Sequence, residues 1–335
     1  MADDAVEFEV PSADGGTTTA RITSPAKVMF PKAGVTKLDL ARYYQAVAEP
    51  LLATMGGRPI LLQRFPEGAT GKSFFQKRVP ASRPAWLHTA VMSTPNGTTS
   101  EALVAADLAH VLWAVNLGCL GFHVWPCRAD DAAHADEIRI DLDPGTGVVF
   151  EQVREAAFEA RSLFEEHGIR SYVKTSGNRG LHVYARLLSQ WDSYDVRAGA
   201  VAFARELERR RPDLVTAAWW KEERGPQVFI DFNQNAPHKT VFGAWSVRAR
   251  TGAQVSTPLA WDEVATVVPD ELTVPVVAAR PDPWADFDAD PQDLEPLLDR
   301  SRADFAAGLS DAPWPPVYPK MPNEPPRVAP SRAKQ

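Results

Sequence analysis

Apolar and polar positions along the chain fall into distinct periods. From Thr36 to Met55, Leu38, Tyr43, Val47, Leu51 and Leu52 recur at helical spacing, which predicts one surface helix with a buried stripe, opened by a Thr36–Asp39 capping box. β-rich runs follow at Ile60 to Phe65 and Phe74 to Arg78, then a helix from about Ala105 to Leu117 and a strand from Cys119 to Trp125. The central block is the most regular. Glu137 to Asp143 (EIRIDLD) alternates polar and apolar residues, Phe150 to His167 is an amphipathic helix, and Arg170 to Lys174 and Leu181 to Arg186 read as strands joined by the turn TSGNRG, a β-α-β-β unit. A long helix from Tyr194 to Arg211 stops at Pro212, and Gln227 to Phe232 is one more short strand.

These periods divide the chain into an N-terminal arm (1–20), a catalytic domain (21–280) and a Pro/Asp-rich extension (281–335). The domain splits into a basic lobe, 21–118, and a carboxylate-bearing core, 119–280. The arm is polar and Gly/Thr-rich, either strand-forming or loosely held. The extension carries one short helix near Leu294 to Ala307 and otherwise wraps the core or stays mobile.

Composition narrows the class. At 335 residues with 44% hydrophobic content, the chain can bury a sizeable core. Cys119 and Cys127 come without zinc spacing, and there is no basic leader or long apolar run, which fits a soluble protein of a reducing cytoplasm, away from membranes. The net charge of -7 argues against nucleic acid until its distribution is considered. Between residues 21 and 100, eleven Lys or Arg stand against three acids. Such a lobe either grips a polyanion or is a solvated basic face.

The chemistry lies in the core. Asp141 and Asp143 alternate with Ile140 and Leu142, so both carboxylates leave one face of a strand, about 7 Å apart, and Pro144-Gly145 ends the strand beside them. Asp231 closes the apolar run Val228-Phe229-Ile230. Three carboxylates converging from separate strands form an all-oxygen site suited to Mg or Mn. A solvated acidic turn is the plain alternative for the DxD pair. The glycine turn holding Ser176, Arg179 and His182 would cradle a triphosphate, or simply close a hairpin. Lys239, and then Arg248 and Arg250, read as sharing one face of an alternating strand, add cations, or form a basic edge that resists aggregation.

The ordered set IDLDPG (140–145), SGNRGLHVY (176–184), FIDFNQNAPHKT (229–240) and SVRAR (246–250) resembles the polymerase domain of bacterial ligase D, a branch of the archaeo-eukaryotic primase superfamily. The likeness runs from about Lys27 to Thr266, and its length suits a free-standing homologue or an excised domain. It implies an α/β (α+β) fold of the primase catalytic core, an RRM-like mixed sheet flanked by helices. It also implies two divalent cations, Mn favoured over Mg, on Asp141, Asp143 and Asp231. His123, Ser176, Arg179, His182 and Arg248 would then meet the incoming nucleotide, with Lys239 and Arg250 as further phosphate contacts. Lys27 and Lys37 would receive the 5'-phosphate across a gap, and Phe74 and Phe75 would stack on the template, although composition alone would place both rings in the core. The implied partners are gapped or end DNA, ribo- or deoxyribonucleoside triphosphates, a separate DNA ligase and end-binding repair proteins. Two features depart from the pattern: Pro237-His238 stands where the family commonly has Arg-Gly, and Trp245 replaces its usual tyrosine. The competing readings are a non-catalytic end-binding module and a metal-dependent nuclease.

Overall fold

The computed structural model describes residues 5–327. Two six-stranded sheets, with helices packed on them, make a mixed α/β fold. The first sheet runs, edge to edge, Val215–Thr216, Val228–Asp231, Ala135–Pro144, Leu181–Trp191, Tyr172–Thr175 and Pro258–Leu259. All its pairings are antiparallel except the first. Helices Phe150–Glu166 and Ser193–Arg210 lay apolar stripes (Val153, Ala156, Leu163; Val196, Ala200, Leu207) into one core with Ile138, Ile140 and Leu142. That leaves the alternate side chains of the central strand on the other face.

The second sheet contains Val241–Phe242, Cys119–Val124, Pro59–Arg64, Thr99–Val104 and Thr89–Ser93, with Phe74–Gln76 paired to Pro59–Arg64. Arg139 donates from Nη1 to the Val124 carbonyl at 2.8 Å and Lys174 from Nζ to the Phe242 carbonyl at 3.0 Å, so the two sheets are tied beside the aspartate-bearing strand. Beneath it lies a buried ion network in which Arg58, fully inaccessible, meets Asp136 and Glu137.

The β-α-β-β unit forms as its periods predict, but several elements differ. The single helix expected from Thr36 is two, Lys37–Ala46 and Ala48–Met55, because Pro50 has no N–H to offer the Ala46 carbonyl and its ring crowds that turn. The arm forms an antiparallel hairpin, Val6–Pro11 with Thr17–Ile22, which crosses residue 20. The hairpin Thr89–Ser93 with Thr99–Val104 had no sequence prediction. The alternating strand expected around SVRAR does not exist: the Arg250 N–H folds back to the Arg248 carbonyl at 2.7 Å, a tight turn that sends the two arginines different ways. The extension wraps the core as far as residue 327. Trp284, 1% exposed, donates to the Val173 carbonyl, helix Glu295–Ala306 packs near Gly199, and Trp314 and Tyr318 are buried.

Candidate active site

Cross-strand register builds the site. Asp141 lies directly opposite Asp231 on one neighbour and opposite His182 on the other, and His182 lies opposite Lys174 on the next strand. Residues directly opposite share a face, so Asp231, Asp141, His182 and Lys174 form one row across the sheet. Asp143 stands two residues along the same face, more exposed. The Gln234 amide bridges the acidic pair, at 2.8 Å from Asp231 and 3.4 Å from Asp141.

Lys174 is fully buried. It reaches the Phe242 carbonyl, the Ser256 hydroxyl at 2.6 Å and His182 Nδ1 at 3.0 Å. His182 Nε2 is 3.3 Å from Asp141, and an ionised carboxylate only accepts, so Nε2 carries the proton and Nδ1 accepts from lysine. Burial, followed by the charge of Lys174, holds His182 well below its ordinary pKa, and the ring is neutral.

The acids are costly to ionise. Burial pushes Asp141 up to about 6 against the pull of Lys174 and Arg248. Burial and then Asp141 push Asp231 up to about 7, with Lys239 opposing, and the same two causes raise Asp143. Among the described residues no three acidic, histidine or cysteine groups are gathered into a closed cage for an ion. The donor set of Asp141, Asp143 and Asp231 offers oxygen atoms only, which suits hard divalent cations.

The turn 176–180 is locked to this row. The Ser176 hydroxyl accepts from the backbone N–H groups of Asn178 and Gly180. Gly177 has φ +70, and a Cβ there would lie 2.6 Å from Arg248 Cγ; a Cβ on Gly180 would lie 2.5 Å from the Leu142 carbonyl. Glycine is therefore needed for both the turn and its close seating on the aspartate strand. Arg179 is exposed at the rim, where a cavity of about 330 Å³ opens, lined also by Pro144, Phe150 and Asn178.

Arg248 lies over the Phe242 ring and acts on Asp141 and Asp143, whereas Arg250 pairs with Asp270 at 2.7 Å. Lys239 is near enough to Asp231 to favour its charge. His123 sits edge-on between Phe75 and Phe242; its buried Nε2 has no partner, and burial with Arg248 holds its pKa at about 4. Phe74 and Phe75 are 47% and 52% exposed, which overturns their placement in the core. Lys27 donates to the Pro66 carbonyl, and Lys37 is buried against the carbonyls of Thr23 and Asn116. Burial and the neighbouring Lys27 lower the Lys37 pKa.

Three residues here escaped the sequence reading: Lys174, Gln234 and Arg224, whose guanidinium stacks on Phe229 and acts on Asp231 and Asp143. A lysine inside the otherwise apolar run Tyr172-Val173-Lys174 was the available signal for the first. The other two had none.

An acidic row flanked by cations, on a β-α-β-β sheet, defines a phosphate-handling transferase of the primase type. Comparison with known proteins makes the class specific. Residues 36–287 match the family model described as LigD, primase-polymerase domain. The multifunctional non-homologous end joining protein LigD of Mycolicibacterium smegmatis is 34% identical over 283 residues, covering 84% of this chain and 37% of that protein. The bifunctional LigD of Bacillus subtilis is 33% identical, covering 83% of this chain and 45% of that protein. The polymerase domain from Mycobacterium tuberculosis ligase D, solved in complex with DNA, superposes with a TM-score of 0.75 at 32% identity, covering 81% of this chain and 98% of that one. The chain belongs to the LigD primase-polymerase domain family and is a nucleotidyl transferase; the polymerase domain of this family is metal-dependent. It spans less than half the length of these relatives. Among the described residues no helix is long and apolar enough to cross a membrane.

Proposed function

We propose that this protein adds nucleotides, ribo- or deoxyribo-, to a primer 3'-hydroxyl under template direction, filling short gaps or ends during DNA repair. The observation that carries this reading is the row Asp231, Asp141, His182, Lys174, which sets two carboxylates beside a neutral imidazole and a buried lysine. Asp141, Asp143 and Asp231 would hold two divalent ions, Mn in preference to Mg. Bound there, the ions supply activation of the 3'-hydroxyl and charge neutralisation for the leaving pyrophosphate. Ser176 shapes the turn, Arg179, Arg248 and Lys239 receive the triphosphate, and Arg250 is an outer cation. His182 offers Nε2–H at the carboxylate row, and the unpartnered Nε2 of His123 faces the nucleotide. No side chain forms a covalent intermediate; positioning and electrostatics lower the barrier.

The DNA contacts extend the same logic. Exposed Phe74 and Phe75 give the template base a stacking surface beside His123. The neighbouring Lys27 and Lys37 ammonium groups favour an anion between them, the 5'-phosphate at the far side of the gap. A separate ligase and end-binding repair proteins would complete the repair.

The test is incubation with Mn, a one-nucleotide gap and each triphosphate in turn, with and without the 5'-phosphate. Templated addition is expected to depend on triphosphate, to be lost in Asp141→Ala and to weaken without the 5'-phosphate. Cleavage of DNA without triphosphate would instead make the protein a nuclease. Binding without incorporation would make it an end-holding module.

A further inference from the structure

The chain beyond residue 287 lies outside the family match, yet its stretch around Trp314 and Tyr318 packs on the loop that joins Asp231 to Lys239. The buried Arg197 connects the two. It donates from Nε to Asn233 Oδ1 at 2.7 Å, from Nη1 to Asp311 at 3.0 Å and from Nη2 to the Ala312 carbonyl at 2.9 Å. Asn233 in turn donates from its side chain to the Pro313 carbonyl at 3.0 Å and from its backbone to the Asp231 carboxylate at 3.1 Å. Further along, Trp314 and Tyr318 pack on Ala236, and the Tyr318 hydroxyl donates to the Pro237 carbonyl. The Lys239 N–H is tied to the Ala236 carbonyl at 3.1 Å.

The covering segment is itself braced. The Glu324 carboxylate accepts from the backbone N–H groups of Trp314 at 2.8 Å and Met321 at 3.0 Å. On the loop's other flank His238 adopts φ +64, a conformation that side-chain residues rarely take, and holds the Ser93 carbonyl with Nδ1 at 3.0 Å. Pro237, which cannot donate, and a left-handed His238 give the loop little intrinsic preference for this path. Its shape is imposed from both sides.

We propose that the segment Asp311–Arg327 is part of the nucleotide-binding apparatus, with Tyr318 and Trp314 as positioning residues that hold the Asp231–Lys239 loop so that its acid and its cation face one triphosphate. The kinetic part of this inference rests on the polymerase reading; the structural part does not. Hydrogen–deuterium exchange of residues 233–240 and gap-filling kinetics are measured on the full chain, comparing wild type, Tyr318→Phe and, as a control on an exposed neighbour, Val317→Ser. Tyr318→Phe removes one hydroxyl and should lower the melting temperature by only about 1–3 °C, leaving the fold intact. It is expected to speed exchange in the loop and raise KM for the triphosphate about five-fold, the factor equivalent to one hydrogen bond of about 1 kcal/mol, with kcat within about two-fold. Val317→Ser should do neither. Unchanged exchange overturns the proposal, as does faster exchange with unaltered KM, because the segment would then only stabilise the fold. If the wild type incorporates nothing, the polymerase reading fails, while exchange still decides whether the segment holds the loop.

Discussion

Replacing Asp231 with asparagine should make the metal-free protein more stable while abolishing its activity. The carboxylate is held at about 7 against an ordinary 3.8, raised first by burial and then by Asp141. A shift of that size is worth roughly 4 kcal/mol against the ionised folded state. The Asp231 side chain keeps partial contact with solvent, so the recoverable part falls to about 1–2 kcal/mol. The sign is fixed by linkage. An acid with a raised folded pKa imposes no penalty below the unfolded value; the penalty grows as pH rises and is complete above the folded value. Wild-type stability should therefore fall between about pH 4 and 7, and Asp231→Asn should remove part of that slope. The isostere keeps its acceptor for the Asn233 N–H, and Gln234 can turn its carbonyl toward the new amide. Thermal melts without divalent ions at pH 8 should show a gain of about 2–3 °C, vanishing near pH 4. Adding Mn at pH 8 should raise the wild type and leave the variant where it was. A variant that melts below wild type at pH 8, or a difference that persists at pH 4, refutes the electrostatic reasoning.

Other consequences follow from single side chains. Lys174→Met removes the donor to His182 Nδ1; gap filling should drop at least about ten-fold, with His182 free to change tautomer, which nitrogen-15 spectra of the ring would register. Phe74→Ala and Phe75→Ala should each weaken binding to a gapped duplex by about 1–3 kcal/mol in anisotropy titrations, with the fold intact because both rings are exposed. Arg58→Met should cost about 1–3 kcal/mol in chemical denaturation, because Asp136 and Glu137 lose a buried charged donor and are left to Arg128, Arg186 and Arg139.

Much of the site was legible because strand periodicity carries directional information. Alternation in EIRIDLD placed Asp141 and Asp143 on one face, and the apolar run ending at Asp231 set a third acid at a strand end; pairing register brought it opposite Asp141. Register itself is a tertiary fact, which is why Gln234 and Arg224 went unseen. Lys174 was missed because lysine in a strand ordinarily reads as solvated, whereas here both faces of the strand are covered. In SVRAR, alternation misled: a three-residue turn has no hydrophobic signature and can sit inside a period-two pattern. The Val47 break could have been read from Pro50. The extension's contacts could not, since a Pro-rich segment carries no period and its buried Trp314 and Tyr318 gain meaning only from what they cover.

The most direct measurement is a Mn titration followed by electron paramagnetic resonance, with a nucleoside triphosphate present, of the wild type and of Asp141→Ala and Asp231→Ala. Two tightly held ions per wild-type chain, and loss of tight binding in both variants, is the expected result. Undiminished Mn binding after removal of Asp231 would contradict the shared carboxylate site on which the proposed chemistry depends.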